Sequence, residues 1–271
     1  MRVHTLDGVE VDAVPPDLAL LPLGVFTTFV AVEGTVLGWD RHLDRLADGA
    51  DALWGHRLER DRVVADVRRH LAVSPRRSVR VAAYPAQVAL AEPERASGCR
   101  LLVSSSPHEA VSEAVSEAVA EPAGLAVRSV EHARSSAVLK HASLGPEVAL
   151  RRQARLAGAD DALFVRGGRV LEGPTWSVVA WSAGTMTSPA EDVLASTTVE
   201  ALADVAEVLG QQVRRAPLTP ADLRAADLVL AVNVHAPTRP LLRLDEHGLS
   251  ADEDLLGLVR SALARLPRQR V

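Results

Sequence analysis

Residues 24–46 read GVFTTFVAVEGTVLGWDRHLDRL, and this stretch carries the clearest structural pattern in the chain. Residues 25–32 are rich in β-branched and aromatic side chains, and the dipeptide Glu33-Gly34 that follows them is typical of a turn. Apolar residues then recur at helical spacing over residues 40–53, with Asp40 as the predicted N-cap. The stretch therefore predicts a β-hairpin that leads into an amphipathic helix.

Strands and helices follow on both sides of this stretch without regular alternation. Strands are predicted at residues 79–84, 100–104, 125–131, 162–165, 169–171, 177–181 and 228–232. Helices are predicted at residues 60–73, 147–157, 197–209 and 252–266, and residues 216–221 (APLTPA) are predicted to form a loop. Strand-rich runs punctuated by helices favour an α+β fold over a doubly wound sheet.

A change in composition divides the chain. Its 271 residues, at roughly 150 residues per domain, indicate about two domains. Residues 104–124 (SSSPHEAVSEAVSEAVAEPAG) combine small residues, acids and prolines with a short repeat, which is typical of a linker or an exposed insert. We therefore predict a small N-terminal domain at residues 1–110, a linker at 111–124 and a larger domain at 125–271.

Composition and charge exclude several classes of protein. Apolar residues make up 48% of the chain, which is too many for a disordered protein, and the formal net charge of −5 indicates no general attraction to nucleic acid or to anionic lipid. With Cys99 as the single cysteine, neither an intramolecular disulfide nor a multi-cysteine zinc site can form. No metal-binding motif, signal peptide or membrane-spanning stretch is predicted, and a cytoplasmic location is expected.

Lysine is the most informative residue type. Of the 30 basic residues only Lys140 is a lysine, and the other 29 are arginines. Arginine can replace lysine at most surface positions, but it cannot act as a nucleophilic amine because its pKa stays above about 12. A Schiff base requires an amine that can lose its proton. The surviving lysine is either a surface residue that escaped replacement or a residue retained for chemistry.

The sequence around Lys140 resembles a known family. Lys140-His141 is followed by RLAGADDALFV (155–165) and RGGRVLEGPTWSVVAW (166–181), and the order of these blocks after residues 24–46 resembles the class IV (fold-type IV) pyridoxal-phosphate enzymes. That family includes branched-chain and D-amino acid aminotransferases, R-selective amine transaminases and 4-amino-4-deoxychorismate lyase. The resemblance implies a small N-terminal α/β domain, a larger domain with a barrel-like sheet and helices, pyridoxal 5′-phosphate as cofactor, and a homodimer.

The resemblance also implies roles for individual residues. Lys140 matches the lysine that forms the Schiff base with the cofactor and moves the substrate proton. Glu172 matches the carboxylate that keeps the pyridine nitrogen protonated, so that the ring can accept electrons. Arg45, in a His-x-x-Arg-Leu helix, matches the arginine that binds the cofactor phosphate. Residues 196–198 (Ser196, Thr197 and Thr198) match the helix start that contributes to the phosphate site, and Ser196 is also an ordinary N-cap candidate.

Six residues are candidates for binding a small-molecule amino acid, amine or keto acid. Arg80 is a candidate for a carboxylate, since a guanidinium matches a carboxylate bidentately, although a structural ion pair is an equal alternative. The others are candidate pocket walls or matches to branch-specific motifs: Phe26, Thr28, Tyr84, Trp176 and Asn233. For each aromatic residue, a place in the core is an equal alternative.

Several reactions remain open at this stage. The motifs shared by the whole family favour an aminotransferase, whereas Phe26-Thr27-Thr28 and Asn233 resemble the lyase, which eliminates pyruvate from 4-amino-4-deoxychorismate to give 4-aminobenzoate. Departures from the family pattern favour a degenerate, non-catalytic relative as a third hypothesis; they lie at Pro174, Trp176, Ser177 and Ser196, and at Gly145, where some aminotransferases have a tyrosine. An unrelated α+β protein is the fourth.

Overall fold

The computed structural model describes residues 2–13, 15, 18, 23–108 and 124–271. Two compact units divide the chain: the first comprises residues 1–115, 139–143 and 267–271, and the second comprises residues 116–138 and 144–266. Residues 139–143, which include Lys140, thus belong to the first unit although they follow the predicted linker. That linker falls almost wholly outside the described residues, and the predicted domain boundaries stay a prediction.

The described residues form sixteen strands and six α-helices, with a 3-10 turn at Pro93–Arg95. The strands are β1 (Val3–Leu6), β2 (Val9–Glu10), β3 (Val25–Val32), β4 (Thr35–Val36), β5 (Arg76–Tyr84), β6 (Arg100–Pro107), β7 (Leu125–Glu131), β8 (Asp161–Arg166), β9 (Arg169–Val170), β10 (Ser177–Ser182), β11 (Thr185–Ser188), β12 (Gln212–Arg215), β13 (Leu228–Asn233), β14 (Ala236–Leu244), β15 (His247–Gly248) and β16 (Gln269–Arg270). The helices are α1 (Trp39–Trp54), α2 (Arg60–Leu71), α3 (Gly145–Leu156), α4 (Thr197–Val208), α5 (Pro220–Ala225) and α6 (Glu253–Arg265).

The first unit is built on a seven-stranded antiparallel sheet with the order β16-β4-β3-β5-β6-β1-β2. Strand β3 pairs with β5 along its whole length, from Val25 opposite Ala83 to Val32 opposite Arg76. One face of the sheet packs against α1 and α2 in a core of aliphatic and aromatic side chains, which includes Val25, Phe29, Leu43, Leu46, Val63, Val67, Val79 and Leu101. The predicted hairpin and helix are therefore both present, and together they form this core.

Helix α1 begins without the predicted side-chain cap. Its N-cap is Gly38, which adopts the left-handed conformation with φ 64° that glycine reaches without strain. The prediction of Asp40 as N-cap is wrong, because Asp40 lies inside the first turn, where its backbone N–H donates to the side chain of Gln269. A carboxylate in the first turn still favours the helix through the helix dipole.

The second unit contains a nine-stranded mixed sheet. Its order is β12-β11-β10-β13-β14-β7-β8-β9, with β15 paired to β14. The pairs β11–β12, β14–β7 and β7–β8 are parallel, and the others are antiparallel. Successive residues of β10 enter different cores: Val178 belongs to one apolar cluster, and Val179 belongs to another that includes residues of α4 and α6. Both faces of this strand are buried, which explains its nearly continuous apolar sequence.

The predicted α+β architecture is confirmed by the structure, and so are most of the predicted elements. The prediction of a loop over residues 216–221 is wrong at its end, because α5 begins at Pro220. Thr219 and Asp222 form a capping box, and proline stands at the first turn, where it is tolerated. No helix in the described part of the chain is long and apolar enough to cross a membrane.

Candidate active site

Lys140 lies beside the first residues of β3. Its backbone carbonyl accepts a hydrogen bond from the Phe26 N–H at 2.8 Å, and the Ala142 N–H donates to the Gly24 carbonyl at 2.9 Å. Between these two bonds, Val25 and His141 form an isolated antiparallel bridge. The Lys140 Nζ is 4.9 Å from the centroid of the Phe26 ring. Backbone pairing with β3 therefore fixes the position from which the only lysine extends its amine.

Arg45 joins β3 from the helix side. Its Nη2 donates to the Thr27 hydroxyl oxygen at 2.9 Å, and the same hydroxyl lies 2.8 Å from Nδ1 of His42. Burial, followed by the charges of Arg45 and Lys140, lowers the pKa of His42 to about 3, and burial lowers the pKa of Arg45 to about 10. At neutral pH this group therefore combines a charged guanidinium with an uncharged imidazole.

Four predicted substrate residues share one face of the β3–β5 pair. Thr28 is directly opposite Arg80, and the Arg80 guanidinium carbon lies 3.6 Å from the centroid of the Phe26 ring. Tyr84 ends β5, directly after Ala83, which pairs with Val25, and a side chain at Gly24 would collide with the tyrosine ring. Burial lowers the pKa of Arg80 from its usual value. The structure brings these four residues together, whereas their roles in substrate binding stay predictions.

Glu172 lies buried in the second unit with a defined set of hydrogen-bond donors. Arg134 Nε donates to Oε1 at 2.8 Å, and the Leu194 N–H approaches Oε2 at 3.3 Å. Arg134 also donates through Nη2 to the Ala137 carbonyl at 2.7 Å, so it connects Glu172 to the loop that leads towards Lys140 in sequence. A carboxylate paired with a guanidinium, with both side chains buried, is consistent with the acceptor role predicted for Glu172.

A cavity of ≈ 320 Å³ lies against Glu172 within the second unit. Leu171, Val178 and Val199 contribute apolar walls, and Ser196 lies at its edge as the N-cap of α4. The volume is in the lower range of small-molecule sites, which usually combine apolar walls with a few polar groups. One cavity therefore contains both a buried carboxylate and the beginning of a helix.

The start of α4 has the geometry expected of a helix N-terminus. Ser196 accepts a hydrogen bond from the Val199 N–H through its side chain, and Thr197 and Thr198 follow it as buried residues of the first turn. Backbone N–H groups in the first turn of a helix have no partner within the helix, and the helix dipole favours an anion there. The capping interpretation of Ser196 is confirmed, and an anion-binding role remains compatible with it.

Trp176 and Asn233 occupy structural positions in the second unit. Trp176 packs in an apolar core, and its Nε1 donates to the buried carboxylate of Asp161 at 2.8 Å. Asn233 ends β13, where its side-chain oxygen accepts from the backbone N–H groups of His235 and Ala236. These contacts favour packing and turn formation for both residues.

Three residues at the candidate site were missed by the sequence analysis. His42 lies three residues before Arg45, a spacing that places both side chains on one helix face, so their proximity could have been predicted. Thr27 lies inside the quoted strand, but nothing in the sequence indicates that it meets Arg45. Arg134 has no sequence signal that connects it with Glu172. No group of three or more potential metal ligands occurs among the described residues.

Comparison with known proteins identifies the family. The family model for class IV amino-transferases matches residues 24–244, which is most of the chain. The chain belongs to the class IV aminotransferase family. Members of this family use pyridoxal phosphate. No curated protein matches the sequence.

Solved structures confirm the fold expected of a class IV aminotransferase. A fold-type IV transaminase from Curtobacterium pusillum is 24% identical, with a TM-score of 0.78 over 98% of this chain and 100% of that one. A hypothetical aminotransferase from Mycobacterium tuberculosis, in its PLP-bound form, is 23% identical, with a TM-score of 0.77 over 96% and 98% of the two chains. The branched-chain amino acid aminotransferase of Escherichia coli is 17% identical, with a TM-score of 0.84 over 97% and 94%.

The residues of this class IV aminotransferase chain fit the family cofactor in chemical type. In the first unit, Lys140 supplies an amine and Arg45 supplies a partly buried cation that donates to a threonine hydroxyl. In the second unit, one cavity contains the Glu172 carboxylate and the N-terminus of α4. An amine suits an aldehyde, a carboxylate suits a pyridinium N–H, and a cation and a helix N-terminus suit a phosphate dianion.

Proposed function

We propose that this chain is a pyridoxal-phosphate-dependent aminotransferase that transfers an amino group between an amino acid or amine and a keto acid. The observation that carries the proposal is the placement of the only lysine, whose backbone is hydrogen-bonded to β3 beside the strand residue that receives Arg45. When bound, the cofactor supplies a conjugated ring that accepts the electron pair left after a proton leaves the substrate Cα.

Lys140 is proposed to bind the cofactor covalently and to move the proton. Lys140 is the only lysine in the chain. An arginine could neither bind the cofactor covalently nor move the proton, because the guanidinium does not give up its proton near neutral pH. The hydrogen bond from the Phe26 N–H holds the Lys140 backbone, so that only the side chain needs to move when the amine receives or returns a proton.

Glu172 is proposed to keep the pyridine nitrogen protonated. An ionised carboxylate offers about four acceptor positions, and donors from Arg134 and Leu194 approach one on each oxygen. Glu172 lines the cavity, so its carboxylate is placed where it could accept a hydrogen bond from a pyridinium N–H.

Arg45, in the first unit, is proposed to bind the phosphate, and the first turn of α4, in the second unit, is by itself a further candidate for that role. Arg45 remains charged at neutral pH although burial lowers its pKa to about 10, and a bound anion would offset part of the cost of that burial. Thr197 and Thr198 supply backbone N–H groups at a helix N-terminus, where the dipole attracts a dianion.

Arg80 is proposed to bind a substrate carboxylate. Its guanidinium lies against the Phe26 ring, and such stacking restricts the orientation of a long side chain. The Phe26 ring also lies close to the Lys140 amine, with 4.9 Å between the ring centroid and Nζ. An acid held at Arg80 would therefore lie on the same strand pair that positions the reactive amine.

4-Amino-4-deoxychorismate lyase activity is the second candidate. The run Phe26-Thr27-Thr28 and the position of Asn233 favour it, because both resemble blocks of that branch of the family. The same amine, carboxylate and phosphate-binding groups would serve an elimination of pyruvate as well as an amino transfer.

The third candidate, a non-catalytic relative, is motivated by Pro174, Trp176, Ser177 and Ser196.

Borohydride reduction of the protein with added pyridoxal phosphate tests the proposal directly. Because the chain has one lysine, a reduced label on a side-chain amine is expected at Lys140, and peptide mass spectrometry distinguishes it from a label on the N-terminal amine. Lys140→Arg is the matched control, since it keeps the positive charge and removes the nucleophile. A protein that takes up no cofactor, or a wild type labelled only on its N-terminal amine, refutes the assignment of Lys140.

Product analysis then separates the two reactions. An aminotransferase converts the bound cofactor to its amine form when an amino donor is added, which is visible as a loss of the aldehyde-form absorbance, and a keto acid reverses the change. The lyase instead releases pyruvate and 4-aminobenzoate from 4-amino-4-deoxychorismate without needing a keto acid.

We also propose a homodimer, which light scattering of the purified protein tests. The cytoplasmic location stays a prediction.

A further inference from the structure

We propose that His42 is a positioning residue for Arg45 and acts through the hydroxyl of Thr27. The proposal rests on the proposed function, in which Arg45 binds the cofactor phosphate. It adds a specific task for a histidine that neither binds the cofactor in that proposal nor contributes charge.

The three side chains form a short hydrogen-bonded chain. His42 and Arg45 are three residues apart on α1 and therefore lie on one face of the helix, while Thr27 comes from β3. The Thr27 oxygen is 2.9 Å from Arg45 Nη2 and 2.8 Å from His42 Nδ1. His42 and Thr27 are only 2% and 1% exposed, so solvent does not compete for these bonds.

The number of protons decides the direction of each bond. A guanidinium can only donate, so the Thr27 oxygen accepts from Arg45. The single hydroxyl proton of Thr27 then needs a buried acceptor, and a neutral imidazole with its proton on Nε2 provides one at Nδ1. We therefore assign a chain that runs from the Arg45 N–H to the Thr27 oxygen and from the Thr27 hydroxyl to His42.

The surroundings of His42 keep it neutral. Arg45 from α1 and Lys140 from the segment beside β3 both disfavour a proton on the ring, and burial acts in the same direction. Phe29 packs against the ring with centroids 5.5 Å apart and contributes no charge. A protonated ring would lose its acceptor at Nδ1 and add a positive charge beside Arg45. Neutrality is therefore what allows His42 to orient the hydroxyl and, through it, the guanidinium.

Comparing pyridoxal 5′-phosphate with pyridoxal tests the proposal, because only the former has the phosphate that Arg45 would bind. We would measure the dissociation constant of each compound for the wild type and for Thr27→Val, Thr27→Ser, His42→Phe and His42→Asn. Thr27→Val and His42→Phe should weaken phosphate-form binding by about tenfold to a hundredfold, as expected for hydrogen bonds to a charged group, with pyridoxal binding changed by less than about threefold. Thr27→Ser and His42→Asn keep a hydroxyl and an acceptor, and should restore most of the preference.

His70→Phe is the matched control for a general loss of packing. His70 is also buried in the first unit and also lies between two hydroxyls, those of Thr5 and Ser105, at 2.9 Å and 2.7 Å. The His70→Phe variant should have a lower unfolding temperature but the same preference for the phosphate form as the wild type. Thermal unfolding of every variant shows which of them are folded at the temperature of the binding assay. If His42→Phe is not folded there, Thr27→Val, which conserves side-chain volume, tests the proposal instead.

The outcomes separate this proposal from the proposed function. If the wild type binds the phosphate form more tightly than pyridoxal and the variants retain that preference, the positioning role is refuted while the cofactor assignment stands. If His70→Phe reduces the preference as much as His42→Phe does, the effect is one of packing and the proposal is also refuted. If the wild type binds neither compound, the proposed function fails and this inference fails with it.

Discussion

Mild acid should destabilise the first unit, because two of its buried histidines are held in the neutral form. Burial together with the charges of Arg45 and Lys140 lowers the pKa of His42 to about 3. Burial, followed by the charge of Arg77, lowers the pKa of His70 to about 4. Both rings are hydrogen-bonded to hydroxyl groups, so within the described residues these hydrogen bonds bring no carboxylate to stabilise a protonated ring.

The sign and size of the effect follow from proton linkage. In the unfolded chain each histidine titrates near 6.5, whereas folded His42 stays neutral down to about pH 3. The unfolded state therefore binds more protons in this interval, and stability falls as the pH falls below 6.5. Integration from pH 7 to pH 5 gives a loss of about 2 kcal/mol for His42, and His70 adds a loss of the same sign and up to similar size. Asp66, whose pKa burial raises from 3.8, acts in the opposite direction at lower pH.

Urea unfolding of the cofactor-free protein at pH 7, 6 and 5 measures this loss. Each of the variants His42→Asn and His70→Asn should lose the pH dependence that the replaced histidine contributes. The unfolding free energy should therefore fall less between pH 7 and pH 5 than in the wild type, whatever the stability of the variant at pH 7. His247, which is exposed on β15, supplies the control in His247→Asn. A wild type whose stability is constant from pH 7 to pH 5, or variants with the wild-type slope, would refute the reasoning.

Three further changes probe the second unit by urea unfolding at pH 7. Gly173→Ala should cost about 1–3 kcal/mol, because the added methyl group would overlap the indole of Trp176; wild-type stability would show that this turn can move. Trp176→Phe should cost about 1.5–3 kcal/mol through loss of the buried bond to Asp161, and no cost would contradict a structural role for the indole. Arg134→Met should cost about 3–5 kcal/mol by leaving the buried carboxylate of Glu172 without its ion pair, and adding Glu172→Gln should recover part of the loss.

The sequence predicted the hairpin, α1 and strands β5 and β6 of the first unit because their patterns are local, whereas β1, β2 and β16 were not predicted. The spacing of apolar residues in α1 and the β-branched run of β3 appear within single windows of the chain, and both match the structure. Strand β14 was missed, since its residues 236–244 include two prolines and two arginines and do not alternate cleanly. It pairs with β13, which precedes it directly but with a register shift, and with β7, which is distant in sequence. These pairings stabilise the strand where local propensity does not.

The candidate site was predictable where a residue type is constrained by chemistry. A lone lysine and a carboxylate in a recognisable block can be identified from sequence because few other residues perform their tasks. Arg134, by contrast, is one of 29 arginines, and only the fold reveals that it contacts Glu172. For Trp176 the sequence left a substrate contact and a place in the core as equal alternatives, and its hydrogen bond to Asp161 favours packing.

The contacts around β3 explain why one short strand influences so much of the candidate site. Successive side chains of a strand point to opposite faces, so Thr27 meets Arg45 from α1 while Phe26 stacks on Arg80 from β5. The backbone of the same strand binds Lys140 through the Phe26 N–H. A shift of β3 by one residue would exchange its two faces and disrupt all three contacts together. The full pairing of β3 with β5 therefore does more than stabilise a sheet, because it sets the positions of the amine and of both guanidinium groups at once.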